Sequence, residues 1–342
     1  MPQGPEHQAA FLDGPQKLLR VGPIHTEKPG PGEVLVAVTA MAVNPVDWKI
    51  QDVGMFINEW PAILGEDVAG EIVEVGEGVT NVSKGQRVIG HALFFRFREL
   101  KYSGFQEFVI FPQTSVAALP DSVSYEAGAV LPLSVSTAGA GLFQPNQLAL
   151  EKPSTNPEKN GKTLLVWGGS SSVGTSTIQL AVAAGYDVIT TASKKNFDLV
   201  KNLGATAVFD YSSPGVVAEL VAELKKGAFA GAYDAIGLRE SQHIIAQVVT
   251  ELGGGHIATV LPYPDDLPPM VTSSTFAAPT IFSEYPEVGK AVWEDFLPQA
   301  LKTGQFKPSP PEKVVGKGLD SLQSAFDQQK AGVSAAKIVV TL

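Results

Sequence analysis

The sequence predicts an α/β protein in which a β-rich domain precedes a doubly wound parallel sheet. Three observations carry this prediction. Short β-rich segments separated by glycine turns occupy the N-terminal part, strands and helices alternate from Thr163 onward, and a glycine- and serine-rich turn follows the first strand of the alternating part. We therefore expect two domains of different architecture.

The first domain is predicted from segments 32–40, 68–75 and 86–89, which are rich in β-branched residues and partly alternate between apolar and polar. The glycines of Gly76-Glu77-Gly78 and Lys84-Gly85 supply turns between them. Short strands joined in this way favour a β-barrel-like domain.

The second domain is predicted from the alternation of strands and helices, which is typical of a doubly wound parallel sheet. The predicted strands cover 163–167, 187–191, 207–210, 232–236 and 256–261. The predicted helices lie near 173–184, 195–203, 214–226 and 240–251. A polar stretch over 150–161 is expected to be an exposed loop. A closing strand over 336–342 is expected to return to the first domain.

The turn between the first strand and the first helix of this sheet reads Gly168-Gly169-Ser170-Ser171-Ser172-Val173-Gly174. Amides at a helix N-terminus and the helix dipole favour an anion there, and small residues let a ligand approach the backbone. The turn therefore predicts a pyrophosphate site, with a structural glycine turn as the alternative. The residues predicted to bind the pyrophosphate are Gly169, Ser170, Ser171, Ser172 and Val173.

The second strand of the sheet leads into Thr191-Ala192-Ser193-Lys194-Lys195-Asn196. An NAD site usually has an acid for the ribose about 20 residues after the turn. Lysines and hydroxyls at this place suit a 2′-phosphate instead, so the sequence predicts NADP(H) as the cofactor. The residues predicted to bind its 2′-phosphate are Ser193, Lys194, Lys195 and Asn196. The alternative for each lysine is a solvated surface charge.

Composition excludes several other functions. The chain has 342 residues with 44% hydrophobic content, a formal net charge of −10 and a pI near 5.0. An acidic chain without a Lys/Arg cluster argues against nucleic acid and anionic membranes. Residues 1–20 lack the features of a signal peptide, so a cytosolic protein is expected.

Metal and thiol chemistry are not predicted. The chain has no cysteine, which excludes disulfides, thiolate nucleophiles and Cys-ligated zinc. Its five histidines are scattered without a short metal-ligand spacing. We therefore expect no bound metal.

Several motifs together carry a family resemblance. They are Pro29-Gly30-Pro31-Gly32-Glu33-Val34, Asn44-Pro45-Val46-Asp47-Trp48-Lys49, Leu64-Gly65-Glu66-Asp67-Val68-Ala69-Gly70 and Gly204-Ala205. With the predicted domain order they resemble the medium-chain dehydrogenase/reductase superfamily over nearly the whole chain. The resemblance implies a GroES-like catalytic domain (1–130), an NADP-binding Rossmann domain (131–288) and a C-terminal return to the catalytic domain (289–342).

Three further segments resemble the zinc-free branch of this superfamily, which includes quinone oxidoreductases and stand-alone fungal enoyl reductases. They are residues 131–139, 193–199 and 278–284. Zinc-dependent members have a Cys before the Asp of the first motif and Gly-His-Glu in the second. This chain has Pro45-Val46-Asp47 and Gly65-Glu66-Asp67 there, so two zinc ligands are missing. Glu66 and Asp67 are interpreted as structural polar residues.

The resemblance also implies roles for individual side chains. Lys49 is expected near the cofactor and to donate a hydrogen bond or a proton to the forming enolate, with Asp47 orienting it. Ser136 and Thr137 resemble a pair beside the nicotinamide, where Thr137 is the second candidate catalytic residue. The alternatives are an exposed lysine and a helix-cap or core hydroxyl. The remaining implied cofactor contacts are Tyr211, Val260, Leu261, Ile281, Phe282 and Ala335.

The function predicted from residues and resemblance is an NADPH-dependent, metal-free reductase of an activated C=C bond. The substrate is either a carrier-bound polyketide intermediate, with a polyketide synthase as partner, or a free small enone. A quinone oxidoreductase of the same fold and a non-catalytic NADP(H)-binding accessory protein are the alternatives. The sequence favours neither a monomer nor a dimer.

Overall fold

The structure is a computed structural model that describes residues 5–263 and 266–342. The chain divides into two compact units. Unit 1 comprises Met1–Leu133, Leu301–Gly304 and Pro308–Leu342, and unit 2 comprises Ser134–Ala300 and Gln305–Lys307. Residues 289–300, assigned to the C-terminal return by the sequence, thus group with unit 2.

The strands are β1 (Glu6–Leu12), β2 (Arg20–His25), β3 (Glu33–Ala42), β4 (Ala62–Ile63), β5 (Asp67–Val75), β6 (Arg87–His91), β7 (Phe108–Pro112), β8 (Val116–Ala118), β9 (Lys162–Trp167), β10 (Asp187–Ala192), β11 (Ala207–Asp210), β12 (Ala228–Asp234), β13 (Gly255–Thr259), β14 (Val271–Thr275), β15 (Glu312–Lys317) and β16 (Lys337–Thr341).

The α-helices are α1 (Pro45–Val53), α2 (Phe94–Phe97), α3 (Tyr125–Gly128), α4 (Pro132–Phe143), α5 (Ser172–Ala183), α6 (Phe197–Asn202), α7 (Val216–Leu224), α8 (Arg239–Glu251), α9 (Pro286–Gly289), α10 (Leu297–Thr303) and α11 (Leu322–Lys330). Short 3₁₀ turns include Lys194–Asn196 and Ala278–Phe282, and Lys290–Phe296 is π-helical. No helix within the described ranges is long and apolar enough to cross a membrane.

Unit 1 is β-rich, as predicted. A seven-stranded sheet has the order β15-β16-β3-β5-β6-β8, with β7 also paired to β3, and a smaller sheet has the order β2-β1-β4. The last strand, β16, pairs antiparallel with β3 of the same sheet. Buried side chains such as Met41, Phe105, Phe111 and Phe326 fill its core.

Unit 2 contains a six-stranded parallel sheet in the order β11-β10-β9-β12-β13-β14, which confirms the doubly wound Rossmann arrangement. From β9 the chain builds outward in one direction through β10 and β11. It then crosses back and builds in the other direction from β12. Open parallel sheets bind ligands at the carboxyl ends of the strands at such a point. The glycine- and serine-rich turn follows β9 at this point.

The central strands β9 and β10 of unit 2 are buried on both faces, and β9 appears in the sequence as an apolar run. Leu165, Ile189 and Ile257 are almost fully buried and pack with Leu220 and Val249 from the helices. The sixth strand, β14, escaped prediction because its sequence, Val-Thr-Ser-Ser-Thr, gives little hydrophobic signal. It lies at the edge of the sheet.

Candidate cofactor and active site

The turn after β9 requires glycine at two of its positions. Gly168 has φ +80°, a left-handed conformation that glycine adopts without strain. At Gly174, a Cβ would lie 2.2 Å from the carbonyl oxygen of Gly168. Because this distance is far below van der Waals contact, only glycine lets the first turn of α5 pack against the strand end.

One serine of the turn, Ser171, caps the helix with its side chain and has an unstrained backbone. Ser171 has φ −75° and ψ 163°, and its hydroxyl accepts a hydrogen bond from the Gly174 amide at 3.0 Å. This is an N-cap, which any L-residue with a short polar side chain can provide. The amides of Ser172 and Val173 lie in the first helical turn, where no intrahelical acceptor exists. The turn therefore fits a pyrophosphate group.

The two predicted halves of the nucleotide site lie together. The Gly168 amide donates to Thr191 Oγ1 at 3.1 Å, and the Gly169 amide donates to the Thr191 carbonyl at 2.8 Å. These bonds hold the turn against the end of β10. Asn196 Nδ2 then donates to Ser193 Oγ at 3.1 Å and lies 3.4 Å from Ser170 Oγ. Residues of the turn and of the loop after β10 thus form one surface.

The two lysines of that loop are exposed, and Lys194 Nζ lies 3.9 Å from Asp210 Oδ2. Hydrogen bonds from Ser212 hold the pKa of Asp210 below its usual value. Tyr211 follows β11 and is half exposed. Asp210 was not predicted as a site residue, although its pairing with Ala192 across β10 and β11 places its carboxylate beside the lysine loop.

Helix α4 carries both predicted nicotinamide contacts, but the two differ in burial. The Ser136 side chain is fully buried and accepts a hydrogen bond from Trp293 Nε1 at 3.0 Å. Thr137 is half-buried, and its backbone carbonyl accepts a hydrogen bond from the Tyr233 hydroxyl at 2.8 Å. Of the two hydroxyls, Thr137 is the better placed to meet a ligand. The prediction that Ser136 contacts the nicotinamide stays a prediction.

The apolar residues predicted to flank the nicotinamide fall into two places. Ile281 and Phe282 are buried in the 3₁₀ turn, and the Phe282 ring packs edge-on against Trp293 with 5.7 Å between ring centroids. Val260 and Leu261 directly follow β13, and Leu261 is exposed. Phe282 is therefore linked to Ser136 through Trp293, whereas Leu261 remains accessible at the end of its strand.

In unit 1, Lys49 lies on α1. Its side chain is half-buried, its Nζ lies 5.7 Å from the centre of the Trp48 ring, and it makes no ion pair with any residue in the described parts of the chain. Asp47 does not orient it, contrary to expectation, because residues two apart on a helix do not face each other. Asp47 Oδ2 instead accepts a hydrogen bond from the Asn44 amide at 2.7 Å in the N-terminal capping box of α1.

A buried ion pair lies beside that helix. Asp67 Oδ2 accepts hydrogen bonds from Lys337 Nζ at 2.8 Å and Asn44 Nδ2 at 2.7 Å, and Asp67 Oδ1 accepts one from the Leu133 amide at 2.6 Å. Lys337 Nζ also donates to Asn44 Oδ1. Asn44, Asp67, Leu133 and Lys337 form what we call the Asp67 network. The predicted cofactor contact Ala335, with φ +49°, lies just before its lysine.

The second acidic residue of the motif, Glu66, is also buried. Its Oε2 lies 3.2 Å from His91 Nε2. The interpretation of Glu66 and Asp67 as structural polar residues agrees with these contacts, since each has a buried partner. Among residues 5–263 and 266–342, no group of three His, Asp or Glu side chains is arranged to hold a metal ion.

Asp47 makes the stability of the fold depend on pH. Burial, with smaller contributions from Glu66 and Asp67, raises its pKa well above the usual value, although the Asn44 amide and Lys337 act in the opposite direction. The folded protein thus holds a proton that the unfolded chain loses near pH 4. Between that pH and the folded pKa the unfolded state binds fewer protons, so stability falls as pH rises.

Asp47→Asn is expected to flatten this fall, because the amide oxygen can still accept from Asn44 and no longer ionises. Urea unfolding of the wild type and the variant between pH 4 and 8 measures the slope. Asp121→Asn, at an exposed aspartate, is the control that should keep the wild-type slope. A variant slope as steep as that of the wild type would contradict the role given to Asp47.

Comparisons with known proteins identify the family. The alcohol dehydrogenase GroES-like domain matches residues 30–121, and the zinc-binding dehydrogenase family matches residues 172–269. The trans-enoyl reductase himH of Aspergillus japonicus is 42% identical over 95% of this chain and 94% of its own length. The dehydrogenase pigH of Monascus ruber is 41% identical over 99% of this chain and 100% of its own. The chain belongs to the medium-chain dehydrogenase/reductase superfamily.

Solved structures of this superfamily share the fold. An alcohol dehydrogenase superfamily protein from Novosphingobium aromaticivorans superposes with a TM-score of 0.81 at 24% identity, covering 98% of this chain and 99% of its own. The CurK enoyl reductase superposes with a TM-score of 0.74 at 20% identity, with the same coverage. The predicted superfamily and architecture are thereby confirmed. The Rossmann sheet of medium-chain dehydrogenases/reductases binds a nicotinamide dinucleotide, which is the class of ligand that the turn of unit 2 fits.

Proposed function

We propose that the protein is an NADPH-dependent reductase of carbon–carbon double bonds conjugated to a carbonyl, acting in the cytosol on a polyketide intermediate held by a carrier protein. The observation that carries this proposal is the 42% identity to a trans-enoyl reductase over nearly the full length of both chains. The nucleotide surface of unit 2 supports it independently, because it combines a pyrophosphate turn with a lysine loop.

The choice of NADPH rests on the residues after β10. An acid is absent from the strand end that usually holds one for the ribose, and Ser193, Lys194, Lys195 and Asn196 follow instead. Cationic and hydroxyl donors recognise a phosphate by charge-assisted hydrogen bonds. When bound, NADPH supplies the hydride that the β-carbon of the substrate receives.

The protein's own groups then act on the substrate oxygen. The carbonyl oxygen gains negative charge as the enolate forms, and preorganised donors stabilise such charge. We assign a donor role of this kind to the Thr137 hydroxyl of unit 2, with the Lys49 ammonium group of unit 1 as a separate candidate donor. Donors of this kind are sufficient for an enone, because its charge develops on an oxygen that accepts hydrogen bonds.

The test of the proposed function is a product assay with purified protein. An enoyl thioester, a small enone and a quinone are each offered with NADPH, and the consumption of NADPH and the saturated product are measured. Reduction of the enoyl thioester or the enone is the expected result. Consumption with the quinone alone would identify a quinone oxidoreductase, and NADPH binding without any turnover would identify an accessory protein.

Lys49→Ala is expected to lower turnover by about 100-fold, the usual cost of removing one donor to a developing oxyanion, while the Kd for NADPH changes less than about twofold. Single-turnover rates and a fluorescence titration measure the two quantities. Lys330→Ala is a matched control, because Lys330 Nζ also lies 5.7 Å from the centre of the Trp48 ring. An unchanged rate in Lys49→Ala would remove Lys49 from the mechanism.

A further inference from the structure

The first half of helix α4 is held within unit 2 by three hydrogen bonds to side chains of other elements, two of them buried. Ser134 Oγ lies 2.8 Å from Ser176 Oγ on α5. Trp293 Nε1 donates to Ser136 Oγ at 3.0 Å, and the Tyr233 hydroxyl donates to the Thr137 carbonyl at 2.8 Å. The three partners come from different elements, so the segment Ser134–Thr137 is held from three directions.

The bond from Tyr233 depends on a glycine one turn further along α4. Tyr233 is fully buried near the end of β12, the strand beside β9. A Cβ at Gly141 would lie 2.5 Å from Tyr233 Cε2 and 2.6 Å from the Phe276 ring. Because position 141 carries no side chain, the tyrosine ring approaches the helix closely and its hydroxyl reaches the Thr137 carbonyl. The sheet of unit 2 is thereby joined directly to the backbone of Thr137.

The bond from Trp293 depends on an unusual helix. Trp293 lies in the π-helical segment Lys290–Phe296 and is fully buried. Runs of π-helix are rare and occur often at functional sites, because a regular helix is more stable unless a particular side-chain placement is needed. At Gly139, a Cβ would lie 3.3 Å from Val292 Cγ2, so the segment also packs closely on α4. The buried indole is thus packed where its Nε1 reaches Ser136.

We propose that Tyr233 and Trp293 are positioning residues for the reduction, and that they place the Thr137 hydroxyl at the substrate oxygen by holding its stretch of α4. This inference rests on the proposed function. Ser136, in the same arrangement, joins the helix to Trp293 through its buried hydrogen bond. A displacement of about 1 Å at a reacting group can cost about 100-fold in rate, so rigid attachment of the helix has a direct kinetic consequence.

The first test is a double-mutant cycle on Ser136→Ala and Trp293→Phe. If Ser136 acts only through the indole, each change is expected to slow hydride transfer about 5- to 10-fold, the equivalent of one lost hydrogen bond. Ser136→Ala is then expected to have no further effect in the Trp293→Phe background. Additive effects on the single-turnover rate would show that Ser136 acts independently of the indole and would overturn the proposal.

The second test compares two buried tyrosines of unit 2. Tyr233→Phe removes the hydroxyl that holds Thr137, whereas Tyr186→Phe removes a buried hydroxyl whose neighbour is the Glu151 amide at 3.5 Å. Tyr233→Phe is expected to lower the rate about 5- to 10-fold with the Kd for NADPH unchanged within about twofold, and Tyr186→Phe to leave the rate at the wild-type value. Equal rates for the two variants would overturn the proposal.

A readout without turnover separates this inference from the proposed function. The emission of bound NADPH reports the surroundings of the nicotinamide ring, and it is expected to shift in Tyr233→Phe but not in Tyr186→Phe. A wild type that binds NADPH and reduces no enone would refute the proposed function, and the emission shift would still decide whether Tyr233 positions this part of the site. Identical emission in all three proteins would refute the positioning role.

Discussion

Replacing Lys194 and Lys195 together by alanine is expected to weaken NADPH binding by about 100- to 1,000-fold and NADH binding by less than about twofold. Each charge-assisted hydrogen bond to the 2′-phosphate contributes about 1.5–3 kcal/mol, and solvent screening of exposed groups keeps the sum near the lower end. NADH lacks the 2′-phosphate, so it loses nothing. Isothermal titration with both cofactors measures the ratio.

The exposure of Lys194 means that its replacement tests cofactor binding and not the stability of the fold. The Lys194 side chain is 81% exposed, and its ion pair with Asp210 at 3.9 Å is of the surface kind that contributes little to stability. The fold should therefore survive the double change. Lys201→Ala, an exposed lysine on the neighbouring α6, is the control expected to bind both cofactors normally. Equal losses for NADPH and NADH would show that the 2′-phosphate lies elsewhere.

Lys337→Met is expected to destabilise the protein by about 3–5 kcal/mol, the usual cost of removing one partner of a buried ion pair. Lys337 and Asp67 are both almost fully buried, so the substitution leaves a carboxylate in the core without its cation. Urea unfolding at neutral pH measures the loss. Asn44 and the Leu133 amide remain as donors and do not supply the missing charge.

Two further variants show whether the buried charge is the cause. Lys330→Met removes an exposed lysine paired with Asp52 at 2.7 Å and should cost less than about 1 kcal/mol. Adding Asp67→Asn to Lys337→Met removes the uncompensated charge and should restore most of the lost stability. If the double variant were no more stable than Lys337→Met, the loss would come from packing and not from charge.

Much of the fold followed from local patterns. The five predicted strands of the nucleotide-binding sheet appear as β9 to β13, and the helix after the turn begins at Ser172, one residue before the predicted start. The apolar runs and the glycine turn identify these elements because both depend on neighbours within a few residues. The strands β1, β2, β4, β7, β8 and β15 were not predicted. The partner of β7, for example, is β3, which lies far away in the chain.

In the candidate site too, contacts between neighbouring elements could be predicted from the sequence, and contacts between distant segments could not. The proximity of the turn to Ser193 and Asn196 could be predicted, because both follow adjacent parallel strands whose carboxyl ends meet at one edge. The contact between Trp293 and Ser136 could not, since the two residues are 157 positions apart. The same holds for Lys337 and Asn44, which are 293 positions apart. Only Asn44 belongs to a motif, and that motif was interpreted from its own few residues.

The sequence by itself determined the superfamily, the parallel sheet and the place of the dinucleotide turn, because spacing and residue type encode local backbone geometry. Only the tertiary structure decided that Ser136 is buried against Trp293 and that Lys337 neutralises Asp67. These outcomes depend on which side chains meet when distant segments pack. Burial gives these contacts a large effect on stability, because a polar group removed from water must find its partner in the folded protein.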